Sequence, residues 1–106
     1  MAYDEDLAGS IRAQVAGRDG VTEKRMFGGL AFLVGGNMAV AASGRGGLLV
    51  RVDPAESDAL LAAGGAEMMV MRGRAMPGWL LVAEPAAELE RWVALGVTYA
   101  GTLPPK

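Results

Sequence analysis

Apolar residues near the two ends of the chain recur with the period of an α-helix. Leu7, Ile11 and Val15 follow one another at four-residue spacing and share one face of a helix predicted over residues 4–17. The last helix is predicted to start at Pro85, and its apolar face is formed by Leu89, Trp92, Val93, Gly96 and Ala100. Both faces are typical of helices that pack on a sheet.

Three short apolar segments in the middle of the chain predict a meander of antiparallel strands, at residues 29–34, 38–42 and 48–52. Glycine-rich turns at residues 35–37 and 43–47 separate them, and glycine and asparagine tolerate the positive φ angles of tight hairpins. In the second strand, alternation is expected to place Met38 and Val40 on the same face. The segment before the meander, residues 21–27, is expected to be extended or loop-like.

A strong helix-start signal follows the meander. Asp53 is suited to the N-cap, Pro54 to the first helical position and Glu56 to the third residue after the cap. Gly64 and Gly65 are expected to end this helix. Beyond it, the pattern predicts two strands at residues 67–71 and 79–83, with a basic loop at residues 72–78 between them.

The resulting order of helix, three strands, helix, two strands, helix predicts an α+β fold. The short connections within each group of strands favour a two-layer sandwich, in which one antiparallel sheet is covered by helices. A chain of 106 residues with 52% hydrophobic and 21% charged residues has the length and composition of one globular domain. We therefore expect residues 1–106 to form a single domain.

The composition argues against most enzyme chemistry. The chain contains no histidine and no cysteine, which excludes the common zinc sites and the usual serine or cysteine triads. We therefore predict no catalytic residues, no metal and no cofactor. The formal net charge of −2 makes nucleic acid an unexpected direct partner. Without a long apolar run or a basic signal peptide, the expected location is the cytoplasm, with no membrane association.

Several local motifs resemble a known family. Arg25-Met26-Phe27-Gly28-Gly29 precedes the meander, and Met76-Pro77-Gly78-Trp79 leads into the last predicted strand. With the Gly-Asn turn and a third strand ending Leu49-Val50-Arg51-Val52-Asp53, they resemble the N-terminal domain of TfoX/Sxy-type competence regulators and of free-standing small proteins that share it. The resemblance covers nearly the whole chain.

The resemblance implies an α-β-β-β-α-β-β-α two-layer fold, in agreement with the order predicted from the apolar pattern. Full-length TfoX proteins regulate DNA-uptake genes and carry a second, C-terminal domain, so the resemblance implies a regulatory role for a single-domain member. The family offers no established catalytic residues. Its marker in this chain is formed by Met26, Phe27, Gly28 and Gly29.

Two interpretations of this marker remain open. In the structural one, Phe27 is anchored in the core, and Gly28 and Gly29 let the backbone turn sharply or pack closely beneath a helix. In the functional one, the two glycines leave room for a ligand or another backbone.

Basic side chains concentrate in the strand-forming part of the chain. Arg72 and Arg74 flank Gly73 and are the best pair for a phosphate or carboxylate, and Arg25, Arg45 and Trp79 are further candidate contacts. The alternative is that Arg72 and Arg74 are solvated or pair with Glu67 and Glu23, which would contribute little.

Methionines are concentrated around the strand at residues 67–71. Methionine adapts to irregular partners, so Met69 and Met71 are candidate interface residues for a second copy of this chain or for another protein. The alternative is that they fill an ordinary core.

These observations lead to three hypotheses. The first is a non-enzymatic cytoplasmic module for regulation or protein interaction. The second is a protein that binds a small anionic metabolite through the basic loop at residues 72–74, and a concave pocket lined by Arg25, Arg72 and Trp79 would support it. The third is weak binding of nucleic acid.

Overall fold

Six antiparallel strands form one sheet in the computed structural model, which describes residues 3–26 and 28–105. The strands are β1 (Val21–Met26), β2 (Gly29–Val34), β3 (Asn37–Ala42), β4 (Leu48–Arg51), β5 (Glu67–Met71) and β6 (Arg74–Val82). Their order across the sheet is β1-β2-β3-β4-β6-β5, so β1 and β5 are the edge strands. The helices are α1 (Glu5–Val15), α2 (Ser57–Ala63) and α3 (Leu89–Thr102), and short 3-10 turns at Pro54–Glu56 and Pro85–Glu88 precede α2 and α3.

The core lies between one face of the sheet and the helices α1 and α3. Strands β2, β3, β4 and β6 contribute Leu30, Phe32, Val40, Ala42, Leu48, Val50, Leu80 and Val82, and the two helices contribute Ala8, Ile11, Val15, Trp92, Val93, Val97 and Ala100. This arrangement confirms the predicted α+β fold with one antiparallel sheet. Residues 21–26, expected to be extended or loop-like, form an additional edge strand.

A β-bulge in β3 changes which side chains share a face. Phe32 pairs with Val40, but Leu33 pairs with Met38, so Ala39 is an extra residue in β3. Ala39 and Val40 are both fully buried in the core, whereas Met38 is half-buried and lines a cavity on the opposite side of the sheet. The prediction that Met38 and Val40 lie on the same face is therefore wrong, because simple alternation does not hold across a bulge.

The turn between β5 and β6 is much shorter than the predicted basic loop. Only Arg72 and Gly73 connect the strands, with φ angles of 54° and 78°, and β6 already begins at Arg74. Positive φ at both residues is the geometry of a tight two-residue hairpin. The predicted loop at residues 72–78 is therefore wrong for residues 74–78, which belong to β6. Pro77 fits within β6 because it is paired in neither register: the pairing with β4 ends at Trp79, and the pairing with β5 is irregular between Ala75 and Leu80.

One surface ion pair connects α1 to the edge strand β1. Arg12 donates hydrogen bonds from Nε and Nη2 to the two carboxylate oxygens of Glu23, at 2.6 and 2.8 Å. Arg12 lowers the pKa of Glu23 below its ordinary value. The hydrogen bond that Arg12 donates is the larger cause, and the positive charge of Arg12 adds to it. The pair leaves Glu23 engaged with α1, so the alternative in which Glu23 pairs with Arg72 or Arg74 is not found.

Glu23→Gln is expected to lower the Tm by a few degrees or less at pH 7, because exposed ion pairs contribute little. The lowered pKa means that ionised Glu23 stabilises the fold above its unfolded-state pKa. This contribution is lost as the pH falls through the folded-state pKa, which lies below 4.5. Thermal unfolding of both proteins across pH 3–7 should show Tm values that converge in acid. In an Arg12→Gln background, Glu23→Gln should have no further effect, and a constant difference at every pH would contradict this account.

Candidate functional site

One side of the sheet faces away from α1 and α3 and is not covered by any described helix. The strand register aligns Lys24 with Ala31, Ala31 with Ala41, and Ala41 with Leu49, so these side chains share that side. We call this side the open face, and its cavity-lining side chains include Lys24, Met26, Ala31, Leu33, Met38, Ala41, Leu49, Arg51, Met69, Met76 and Trp79. An antiparallel sheet that faces water usually carries polar residues there, so this apolar surface is unusual.

The open face is concave. Met26 lies on edge strand β1 and Met69 on edge strand β5, at opposite ends of the strand order, yet both line the same two adjoining cavities. Met38 and Leu49 also line both. The cavities have volumes of about 380 and 510 Å³. Each is within the size range of pockets that hold small molecules.

The first cavity combines an apolar floor with two arginines. Arg45 reaches it from the turn between β3 and β4, and Arg72 reaches it from the turn between β5 and β6. The backbone N–H of Arg45 donates to Ser43 Oγ at 3.1 Å, which holds its turn together. Among the described residues, no aspartate or glutamate lines this cavity, and neither arginine takes part in a described ion pair.

The second cavity adjoins the first on the side of Arg51 and Trp79. Arg51 lies over the ring of Trp79, with 5.0 Å from Cζ to the ring centroid, and 5.9 Å from the ring of Tyr99. Such cation–π contacts hold the guanidinium in place while leaving its charge available. Lys24 adds a further positive charge from β1, and no acid from the described part of the chain lines this cavity either.

Some of the residues predicted from the sequence meet at the open face. Arg45, Arg72 and Met69 line the first cavity, and Trp79 lines the second together with Met69. Arg72 and Arg74 were predicted to contact an anion together, but only Arg72 lines a cavity.

Other predicted residues lie away from the two cavities or outside the part of the chain that the structure describes. Arg25 is exposed and aligned with the core residue Leu30, which places it on the helix-covered side of the sheet. Arg25 therefore lies on the opposite side of the sheet from Arg72 and Trp79, and the described cavities do not bring the three together. Phe27 and the side chain of Met71 lie outside the described residues, so their predicted roles stay predictions.

Several lining residues were not predicted as site residues, although part of the signal was local. Leu49 and Arg51 alternate with the core residues Val50 and Val52, which already places them on the second face of β4. Lys24 pairs with Ala31 across β1 and β2, and this pairing places its side chain on the open face. Met38 had no such signal, since its position depends on the bulge.

The family marker divides into residues with different environments. Met26 lines both cavities. Gly28 has a φ of 77°, and a side chain there would meet nothing within 4 Å. Gly29 is buried, and a Cβ there would collide with the carbonyl oxygen of Ala42 and lie 3.1 Å from the backbone nitrogen of Gly44. The close approach at Gly29 is to the neighbouring strand and turn and not to a helix, and it supports a structural role for this glycine.

The family model of the TfoX N-terminal domain matches residues 13–100. The chain belongs to the TfoX N-terminal domain family. No curated protein and no solved structure shows a significant match to it. The matched range runs from α1 to α3 and contains every residue that lines the two cavities. The open face is thus part of the TfoX N-terminal domain itself.

The chemistry available on the open face of this TfoX N-terminal domain is apolar contact and positive charge. Within residues 3–26 and 28–105, no group of three or more acidic side chains is placed to hold a metal ion. None of the helices in the same ranges is long and apolar enough to cross a membrane.

Proposed function

We propose that this TfoX N-terminal domain is a non-enzymatic regulatory module that acts in the cytoplasm by binding a partner on its open face. The observation that carries this proposal is the combination of a concave, methionine-rich floor with a positively charged rim. Half-buried Met26, Met38, Leu49 and Met69 occupy the floor, and covering them with a partner would remove further apolar surface from water.

Methionine suits a surface that must adapt to a partner. Its side chain is unbranched and polarisable, so it can follow the shape of an occupant at low cost. Trp79 adds a larger apolar contact beside it, and its ring is oriented by Arg51 at 5.0 Å. Together these side chains favour recognition by fit and charge over catalysis.

The polar groups around the cavities also favour binding over chemistry. Ser43 is the hydroxyl in the first cavity, and its oxygen already accepts the N–H of Arg45. The sequence contains no histidine that could remove its proton. Lys24, Arg45 and Arg72 can attract and orient an anionic group without supplying a general base.

Capture on an immobilised protein tests this proposal. Wild type, an Arg45→Glu/Arg72→Glu variant and an Arg18→Glu/Arg25→Glu control are each incubated with lysate of the native cell, and bound proteins and small molecules are identified by mass spectrometry. Both variants change the net charge equally, and Arg18 and Arg25 are exposed but line neither cavity.

At least one species should bind wild type and the control and be lost from the open-face variant. Circular dichroism should show that all three proteins are folded, because all four substituted arginines are exposed. Equal retention by wild type and the open-face variant, or no retention by wild type, would overturn the proposal.

A further inference from the structure

The two cavities of the open face form one elongated site with chemically different parts. Met26, Met38, Leu49 and Met69 line both, so a ligand lying across them would meet a continuous apolar floor. Volumes of about 380 and 510 Å³ suit a molecule of small-ligand size. A compact inorganic ion would leave most of this floor uncovered.

The charges at the first cavity call for an anionic group. Arg45 and Arg72 reach it from two different turns, and no acid in the described ranges lines it. Arg51 lies in the second cavity, whereas Arg45 and Arg72 both line the first, and neither takes part in an ion pair among the described residues. Guanidinium groups bind carboxylate and phosphate oxygens through charge-assisted hydrogen bonds.

A second copy of this chain is a poor occupant for the same face. Two open faces brought together would each present Lys24, Arg45, Arg51 and Arg72, whereas the register places Glu67 as an acid on that side, so repulsion between like charges would dominate. Two concave surfaces would also touch only at their rims. The charge and the shape therefore favour an occupant that is small, apolar along its length and negatively charged.

We infer that the open face binds a small amphipathic organic anion, with its apolar body over the methionine floor and its carboxylate or phosphate head between Arg45 and Arg72. This inference names the ligand class of the site proposed above and rests on that proposal. The ligand would contact the side chains of β1, β3, β4 and β5 at once, so binding would stabilise the curved arrangement of the sheet.

Matched pairs of probes separate the two recognition elements. Octanoate and 1-naphthyl phosphate carry an apolar body and an anionic head, 1-octanol and 1-naphthol keep only the body, and inorganic phosphate keeps only the charge. Each is titrated into the folded protein by isothermal titration calorimetry, with thermal shift as a second readout. The proteins are wild type, Arg45→Glu/Arg72→Glu, Met38→Gln and the Arg18→Glu/Arg25→Glu control.

At least one amphipathic anion should bind wild type and raise its Tm, and its affinity should exceed that of its neutral analogue and of inorganic phosphate by about tenfold or more. Arg45→Glu/Arg72→Glu should weaken it by about tenfold or more, Met38→Gln should weaken it less, and the control should bind like wild type.

The inference would be overturned by no binding of either anion at millimolar concentration, by equal binding of the neutral analogues, by inorganic phosphate binding as tightly as the amphipathic anions, or by an amphipathic anion that binds Arg45→Glu/Arg72→Glu as tightly as wild type. Cosedimentation with phosphatidylglycerol vesicles serves as a further probe, and binding only to these vesicles, and not to free anions, would overturn the inference in favour of a lipid surface. The proposed function survives any of these results if lysate capture still depends on Arg45 and Arg72, so the two failures are distinguishable.

Discussion

Replacing Gly96 with alanine is expected to lower the free energy of unfolding by about 2–3 kcal/mol, because the added methyl group overpacks a backbone contact. Gly96 lies in α3 where this helix crosses the bulge of β3. A Cβ at this position would collide with the carbonyl oxygen of Ala39 and lie 2.8 Å from Cγ1 of Val40. Because the nearest obstacle is backbone, the helix itself must move away from the sheet. Urea denaturation followed by circular dichroism measures the change.

Gly101→Ala provides a matched control in the same helix. A Cβ at Gly101 would meet nothing within 4 Å, and Gly101 is exposed. Alanine has the higher helix propensity, so this variant should gain up to about 1 kcal/mol. Opposite signs for the two substitutions would show that the close approach of α3 to β3 is responsible. If Gly96→Ala were as stable as wild type, this would contradict the close packing of α3 at Gly96 against the bulge of β3.

Gly29→Ala is the second substitution expected to have a large effect, again about 2–3 kcal/mol from overpacking. Its Cβ would collide with the carbonyl oxygen of Ala42 and press on the backbone nitrogen of Gly44 at 3.1 Å. Both obstacles belong to the neighbouring strand and the turn that carries Arg45. The substitution should therefore separate β2 from the end of β3, and equilibrium unfolding in urea measures the loss.

The neighbouring glycine serves as the comparison. Gly28 is exposed and has room for a side chain, but its φ of 77° is unfavourable for alanine. Gly28→Ala should cost about 1–2 kcal/mol, and Gly28→Asn should cost less because asparagine tolerates this backbone region. A stable Gly29→Ala protein that had lost binding at the open face would instead support the ligand-contact interpretation of the family marker.

The class of fold and its helices could be predicted from the sequence because they depend on neighbours along the chain. The four-residue spacing of Leu7, Ile11 and Val15 predicted a helix, and the structure places Ile11 and Val15 in the core. Asp53 acts as the predicted cap, accepting the N–H of Ala55 at 2.9 Å, although the first turn is a 3-10 turn and α2 begins only at Ser57. The family also followed from short motifs.

The candidate site could be predicted only in part. Arg45, Arg72, Met69 and Trp79 were identified by residue type, since arginine, methionine and tryptophan suit binding surfaces. Arg25 was grouped with them by the same reasoning, but its register with Leu30 places it on the helix-covered side. Residue type alone does not report the side of the sheet on which a side chain lies.

By itself, the sequence determined the α+β architecture, the apolar faces of α1 and α3, the cap at Asp53 and the family, because each depends on local spacing and composition. The tertiary structure alone decided that Ala39 forms a bulge, that Met38 joins the open face, and that Met26 and Met69 line common cavities. The bulge is a property of pairing between two strands, and the concave shape is a property of all six strands together. Neither can be read from the spacing of residues within one strand.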